Sequence, residues 1–132
     1  MEHEQLKFTN PPTLFDPNPF GFSHSVLINS PLRICYISGQ SGGTGKGHLL
    51  SGDFRTQVIN ALNNLKIVLE QNSMQYRDVV KITLLIVDYN QEKLEIWTEE
   101  AKRIWTDSNL PTSTLIPIHQ LALPNMMFEI DA

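Results

Sequence analysis

Residues 79–87 read VVKITLLIV, and this stretch decides the fold. Side chains branched at Cβ crowd the preceding turn of a helix but pack well on a pleated surface. A run this apolar has no face suited to water, so it predicts a central strand covered on its inner face. Working back along the chain, Asp53 stands where a helix cap is wanted. Val58, Leu62, Leu65 and Leu69, with Ala61 and Val68 beside them, then step by three and four to about Gln71. Working forward, Leu94, Trp97, Ala101 and Ile104 mark one stripe of a second helix over 91–105, with acids early and Lys102-Arg103 late, the order that suits the helix dipole.

Further out the pattern returns to short apolar runs. Residues 113–118 and 126–130 predict two more strands, and Pro117, which cannot donate to a ladder, marks an edge or a bulge. On the N-terminal side, 25–28 and 32–38 predict a hairpin broken at Asn29-Ser30-Pro31. Residues 1–19 read as an extended lead-in, since 10–19 alone hold four of the eight prolines. The glycine-rich stretch 39–47 reads as a mobile loop. The order strand, strand, helix, strand, helix, strand, strand predicts an α+β fold, a mixed β-sheet with two helices on one face. Its other face is too apolar for solvent and calls for oligomerisation.

A chain of 132 residues fits one domain, 1–132, able to bury a core without disulfides or metal. The single cysteine, Cys35, excludes an internal disulfide, and with four scattered histidines no metal site or cofactor is expected. The N-terminus has no signal-peptide pattern and no run is long enough to span a membrane, so a reducing, cytoplasmic setting is expected. A net charge of −4 without a basic stripe disfavours nucleic acid.

Several motifs fail on inspection. A P-loop needs glycine where Gln40 stands and Ser or Thr where Gly47 stands. Cys35, between Ile34 and Tyr36, reads as a buried, inert thiol. A triad drawn from Ser38, His24 and Asp53 is of a kind that any sequence offers.

Other motifs accumulate in order. They are Phe22-Ser23-His24-Ser25-Val26, Ile37-Ser38-Gly39-Gln40, Gly52-Asp53-Phe54-Arg55-Thr56-Gln57, Asp78-Val79-Val80-Lys81-Ile82-Thr83, Leu123-Pro124 and Glu129-Ile130-Asp131-Ala132. Together they resemble the RidA/YjgF family from about Phe20 to the end. The resemblance implies a fold like that of chorismate mutase from bacilli, assembled as a homotrimer with small-molecule clefts between subunits. In the family's deaminases an arginine pairs with the substrate carboxylate and a glutamate near the C-terminus activates water, which hydrolyses reactive enamines or imines. Glu129 matches that glutamate. Gly39 and Ser38 match the strand end lining the cleft, and Phe22 replaces a tyrosine that closes over the ligand.

The arginine is missing. Where the family reads P-A-R-S-T, this chain reads Leu110-Pro111-Thr112-Ser113-Thr114, and no arginine follows Arg103. The resemblance therefore implies a rebuilt site in which Thr112, Ser113, His119 or Gln120 sets a new specificity. It points to a hydrolase or deaminase of a divergent substrate that does not turn over simple 2-imino acids, with Arg33, Arg55 or a neighbouring subunit's Arg103 as the cations available for rescue. The alternatives are a non-catalytic ligand sensor or interaction protein and, with less support from the acidic composition, an endoribonuclease.

Overall fold

The computed structural model describes residues 5–30, 33–106 and 109–132. Its spine is strand β4, Lys81–Val87, in which Ile82, Leu84 and Ile86 are buried while Lys81, Thr83, Leu85 and Val87 alternate to the other face. The strand starts two residues later than its apolar run, because a 3₁₀ turn at Tyr76–Asp78 feeds into it. It lies between β5, Thr112–Ile118, which it pairs in parallel, and β6, Phe128–Asp131, which it pairs antiparallel. The expectation of a central strand in a mixed sheet therefore holds. The short β3, Gln40–Ser41, completes a four-stranded sheet in the order β3-β6-β4-β5. Pro117 stands on β5, which is an edge strand, where a missing donor costs no ladder bond.

Both helices form where their apolar spacing and caps place them. Helix α1 is Phe54–Gln71, and the Asp53 carboxylate accepts from the Thr56 N–H at 3.0 Å and from its hydroxyl at 2.7 Å. These bonds to the charged form, the side-chain one first, hold the Asp53 carboxyl below the usual aspartate range. Helix α2, Gln91–Ile104, is capped by Asn90 and carries the chain from β4 to β5, the crossover that a parallel pair requires. Val58, Ala61, Leu62, Leu65 and Leu69 of α1 and Trp97 and Ala101 of α2 are buried in one core with Ile82, Leu84, Ile86, Phe128 and Ile130. The opposite sheet face, carrying Thr83, Leu85 and Val87, is only half-buried, and Ile116 there is 42% exposed.

Three expectations are corrected. Residues 25–28 do form a strand, β2 (Ser25–Ile28), but its partner is β1, Leu6–Thr9, in register Leu6↔Ile28 to Thr9↔Ser25. The lead-in thus contains a strand, with Leu6 buried beneath it. Residues 33–39 run extended but form no hairpin with β2; Pro31 and Leu32 lie outside the described residues. This segment is held elsewhere, since Ile37 exchanges N–H···O bonds with Ala132 at 2.8 and 3.3 Å and Arg33 donates to the carbonyls of Asn72 and Ser73. The glycine-rich loop is pinned. Thr44 bridges to Leu49, the Asn64 amide donates to the carbonyls of Ser41 and Gly43, and Ser41 Oγ lies 2.5 Å from His48 Nε2. A Cβ on Gly43 would overlap the His48 ring, so glycine there permits the close packing.

Candidate functional site

Strand register sorts the candidate residues onto faces, because paired residues project to the same side of a sheet. Leu85 is level with Glu129 on β6 and Ile116 on β5, all on the face away from the helices. On β3, Ser41 is level with Glu129, so this edge strand brings Gly39 beneath the glutamate. A Cβ on Gly39 would overlap the Glu129 carboxylate, and the absence of a side chain is what lets the carboxylate lie there half-buried. Ser38, exposed, precedes the same strand, and its carbonyl accepts from Gln40 Nε2 at 3.1 Å. Glu129, Gly39 and Ser38 are thus brought together.

The overlap makes a testable point. In Gly39→Ala the flexible carboxylate end has to move while the backbone stays, so the fold should survive with its melting temperature nearly unchanged. The Glu129 side-chain resonances should shift in a carbon-detected spectrum of labelled protein. A spectrum identical to the parent's would show that the carboxylate does not rest on Gly39.

Other expected residues lie apart within one chain. Thr112 shares the open face but is level with Lys81, four residues along β4 from the level of Glu129, about 13 Å at 3.3 Å per residue. Its N–H and its hydroxyl both donate to the Val80 carbonyl at 2.9 Å, so the hydroxyl proton is already used. Ser113 points to the helix side, where with Phe22, Phe15, Phe20 and Trp97 it lines a cavity of about 480 Å³. Phe22 packs edge-on against Phe15 and His24 in that aromatic cluster. His119 and Gln120 are exposed, beyond the end of β5. Arg55, one of the cations available for rescue, is committed to Glu99 at 2.7 Å and Glu100 at 2.5 Å, and both bonds hold its pKa above the usual guanidinium value. Arg33 is spent on the end of α1 and Arg103 reaches Glu100 at 3.8 Å.

Sequence reasoning missed the pairing of Lys81 with Thr112, because no spacing rule tells which strand lies opposite. It also missed Gln57 and the Ser41–His48 contact, which together pin the chain around the site. Among the described residues no helix is long and apolar enough to cross a membrane.

The model of a family described as endoribonuclease L-PSP matches residues 18–132. This chain belongs to that family, the RidA/YjgF family. Within it, a RutC family protein of Aquifex aeolicus is 32% identical, with 87% of this chain and 89% of the relative covered. A human family member, a 2-iminobutanoate/2-iminopropanoate deaminase, is 36% identical over 84% of this chain and 77% of its own length. Among solved structures, YyfB of Yersinia pestis, a Rid family protein of unknown function, superposes with a TM-score of 0.90 at 29% identity, covering 96% of each chain. The RidA/YjgF assignment accounts for the two helices packed on a mixed sheet.

Proposed function

We propose that this chain is a hydrolase of the deaminase type, acting as a homotrimer whose clefts between subunits take a small molecule other than a simple 2-imino acid. The observation that carries it is the Glu129 carboxylate resting on Gly39, at the position matching the family glutamate. The human relative's name supplies the reaction class. In that reaction water adds to a C=N carbon as Glu129 takes its proton. That proton goes to nitrogen, the adduct's hydroxyl proton follows it as the C–N bond breaks, ammonia leaves, and a carbonyl remains.

The trimer is supported by the face carrying Leu85, Val87 and Ile116, which is apolar and only half-buried. It is also supported by the separation of Thr112 and Phe22 from Glu129, which a second copy can bridge. Light scattering at micromolar concentration should give three times the chain mass of 15.0 kDa. A clean monomer mass removes the interfacial cleft.

The divergent substrate follows from charge. A 2-imino acid has one strong handle, its carboxylate, and beside Glu129 that group meets like charge without the forked guanidinium that Thr112 replaces. Freshly generated 2-iminobutanoate should decay at the same rate with and without protein, whereas a compound found by thermal shift should be turned over by the parent and not by Glu129→Ala. Rapid imine turnover that disappears in Glu129→Ala overturns the divergent specificity.

A further inference from the structure

We propose that Ser41 and His48 form a nucleophile–base dyad that cleaves small, uncharged acyl esters, a second activity that uses neither Glu129 nor a subunit interface. Ser41 Oγ lies 2.5 Å from His48 Nε2, close enough for the ring nitrogen to take the hydroxyl proton. Both residues line a cavity of about 420 Å³ between the glycine-rich loop and helix α1, beside the edge strand β3. A serine–histidine contact sealed inside a loop could only pin it. This one opens onto a space that can admit an acyl group.

Both groups stand on backbone that is fixed from two sides. His48 has a φ of 49°, in the left-handed region that side-chain-bearing residues rarely occupy unless their surroundings enforce it. Here the enforcement is visible. Thr44 and Leu49 exchange N–H···O bonds at 2.9 and 3.1 Å, and the His48 N–H donates to the Gly45 carbonyl at 3.1 Å. The imidazole packs so closely on Gly43 that a Cβ there would overlap it, which leaves the ring little freedom to swing away from Ser41. On the serine side, the Asn64 amide donates to the carbonyls of Ser41 and Gly43 at 2.8 and 2.7 Å. Residues 41 and 48 both fall between the family motifs at 37–40 and 52–57, so the resemblance gives no account of them.

The walls set the ligand class. His48 carries the only ionisable side chain among the residues lining the cavity, and Ile67 and Val68 give it an apolar side. Gly39, on which the Glu129 carboxylate rests, is part of the wall too, so an anionic acyl group would meet like charge. In the tautomer protonated at Nδ1, His48 Nε2 takes the Ser41 proton as Oγ bonds to the ester carbonyl carbon. The bond to the alcohol oxygen then breaks, and that oxygen leaves with the proton from Nε2. Water reverses the sequence: it gives a proton to Nε2 and adds to the acyl carbon, and Oγ recovers the proton as the carboxylic acid departs. The sum is ester plus water to acid plus alcohol. No carboxylate among the described residues bonds the His48 ring, so the dyad suits esters with a good leaving group.

The test uses two probes on the full chain, diisopropyl fluorophosphate for the nucleophile and 4-nitrophenyl acetate for turnover. Mass spectrometry of the parent should find one diisopropylphosphoryl group, and peptide mapping should place it on Ser41. Ser41→Ala should not be labelled, and His48→Asn should be labelled about a hundredfold more slowly, the share that a positioned base supplies. Asparagine is chosen because it tolerates the left-handed backbone at position 48, so its melting temperature should stay near the parent's. Release of 4-nitrophenol should fall in both variants in the same proportion. A parent that takes no label, or takes it on another residue, overturns the dyad whether or not the variants fold. Labelling of His48→Asn at the parent's rate overturns it as well, and leaves the Ser41–His48 contact as a pin for the loop.

Discussion

Trp97→Ala should lose about 3–5 kcal/mol of unfolding free energy, the range for deleting a large buried aromatic ring. Trp97 is 1% exposed and stacks on Phe128 with centroids 5.6 Å apart, and Phe128 in turn meets Phe54 edge-on at 6.0 Å. These three rings join α2, β6 and the first turn of α1, so the cavity left behind opens at the junction of both helices with the sheet. Small domains hold only about 5–15 kcal/mol in total, which makes this a large share. Urea titration of the purified variant should show a lower midpoint at an unchanged slope, and Trp97→Phe should recover part of the loss. A midpoint matching the parent's would mean that the second helix stripe does not face the core.

Gln57→Leu should cost a comparable amount for a different reason. The Gln57 side chain is fully buried in the middle of an otherwise apolar set. Its amide donates to the carbonyls of Ser51 at 2.7 Å and Asn125 at 2.9 Å, and its oxygen accepts from the Met127 N–H at 2.9 Å. Leucine has similar bulk and none of these partners. Three backbone groups lose their bonds, and each that stays dry costs roughly 1–3 kcal/mol. The approach is close on the other side as well, since a Cβ on Gly42 would overlap Gln57 itself. The loss should appear as a lowered thermal midpoint and as faster exchange of the Met127 amide. If Gln57→Leu melts with the parent, water has entered and replaced the amide.

What the sequence discloses depends on how local the physics is. Both helices are legible to within a residue or so, because their apolar spacing repeats over three to five turns and each has a capping side chain. Strand β4 is legible because its length and branching leave few other homes for it. Strand β1 is not: four residues, Leu6–Thr9, carry too little alternation to be distinguished from the prolines that follow. Strand β3 is two residues long and exists only because β6 passes beside it. The site divides in the same way. Glu129 and Gly39 could be named from motifs, but the distance between Thr112 and Glu129, and the pairing of Thr112 with Lys81, are matters of register between strands far apart in sequence. No pattern within a single strand encodes them.

The β1–β2 pair is a two-stranded ribbon outside the four-stranded sheet. Ribbons of this size are marginal by themselves, so its stability comes from what it leans on. In a native-state hydrogen-exchange experiment its amides should report a local opening of low free energy, well short of the global unfolding that releases β4. Phe22 is attached to the ribbon side of that division and Glu129 to the sheet side. A ligand touching both would therefore draw part of its affinity from quenching that opening, and its presence would be recorded as slowed exchange at Val26 and Leu27, residues it never contacts.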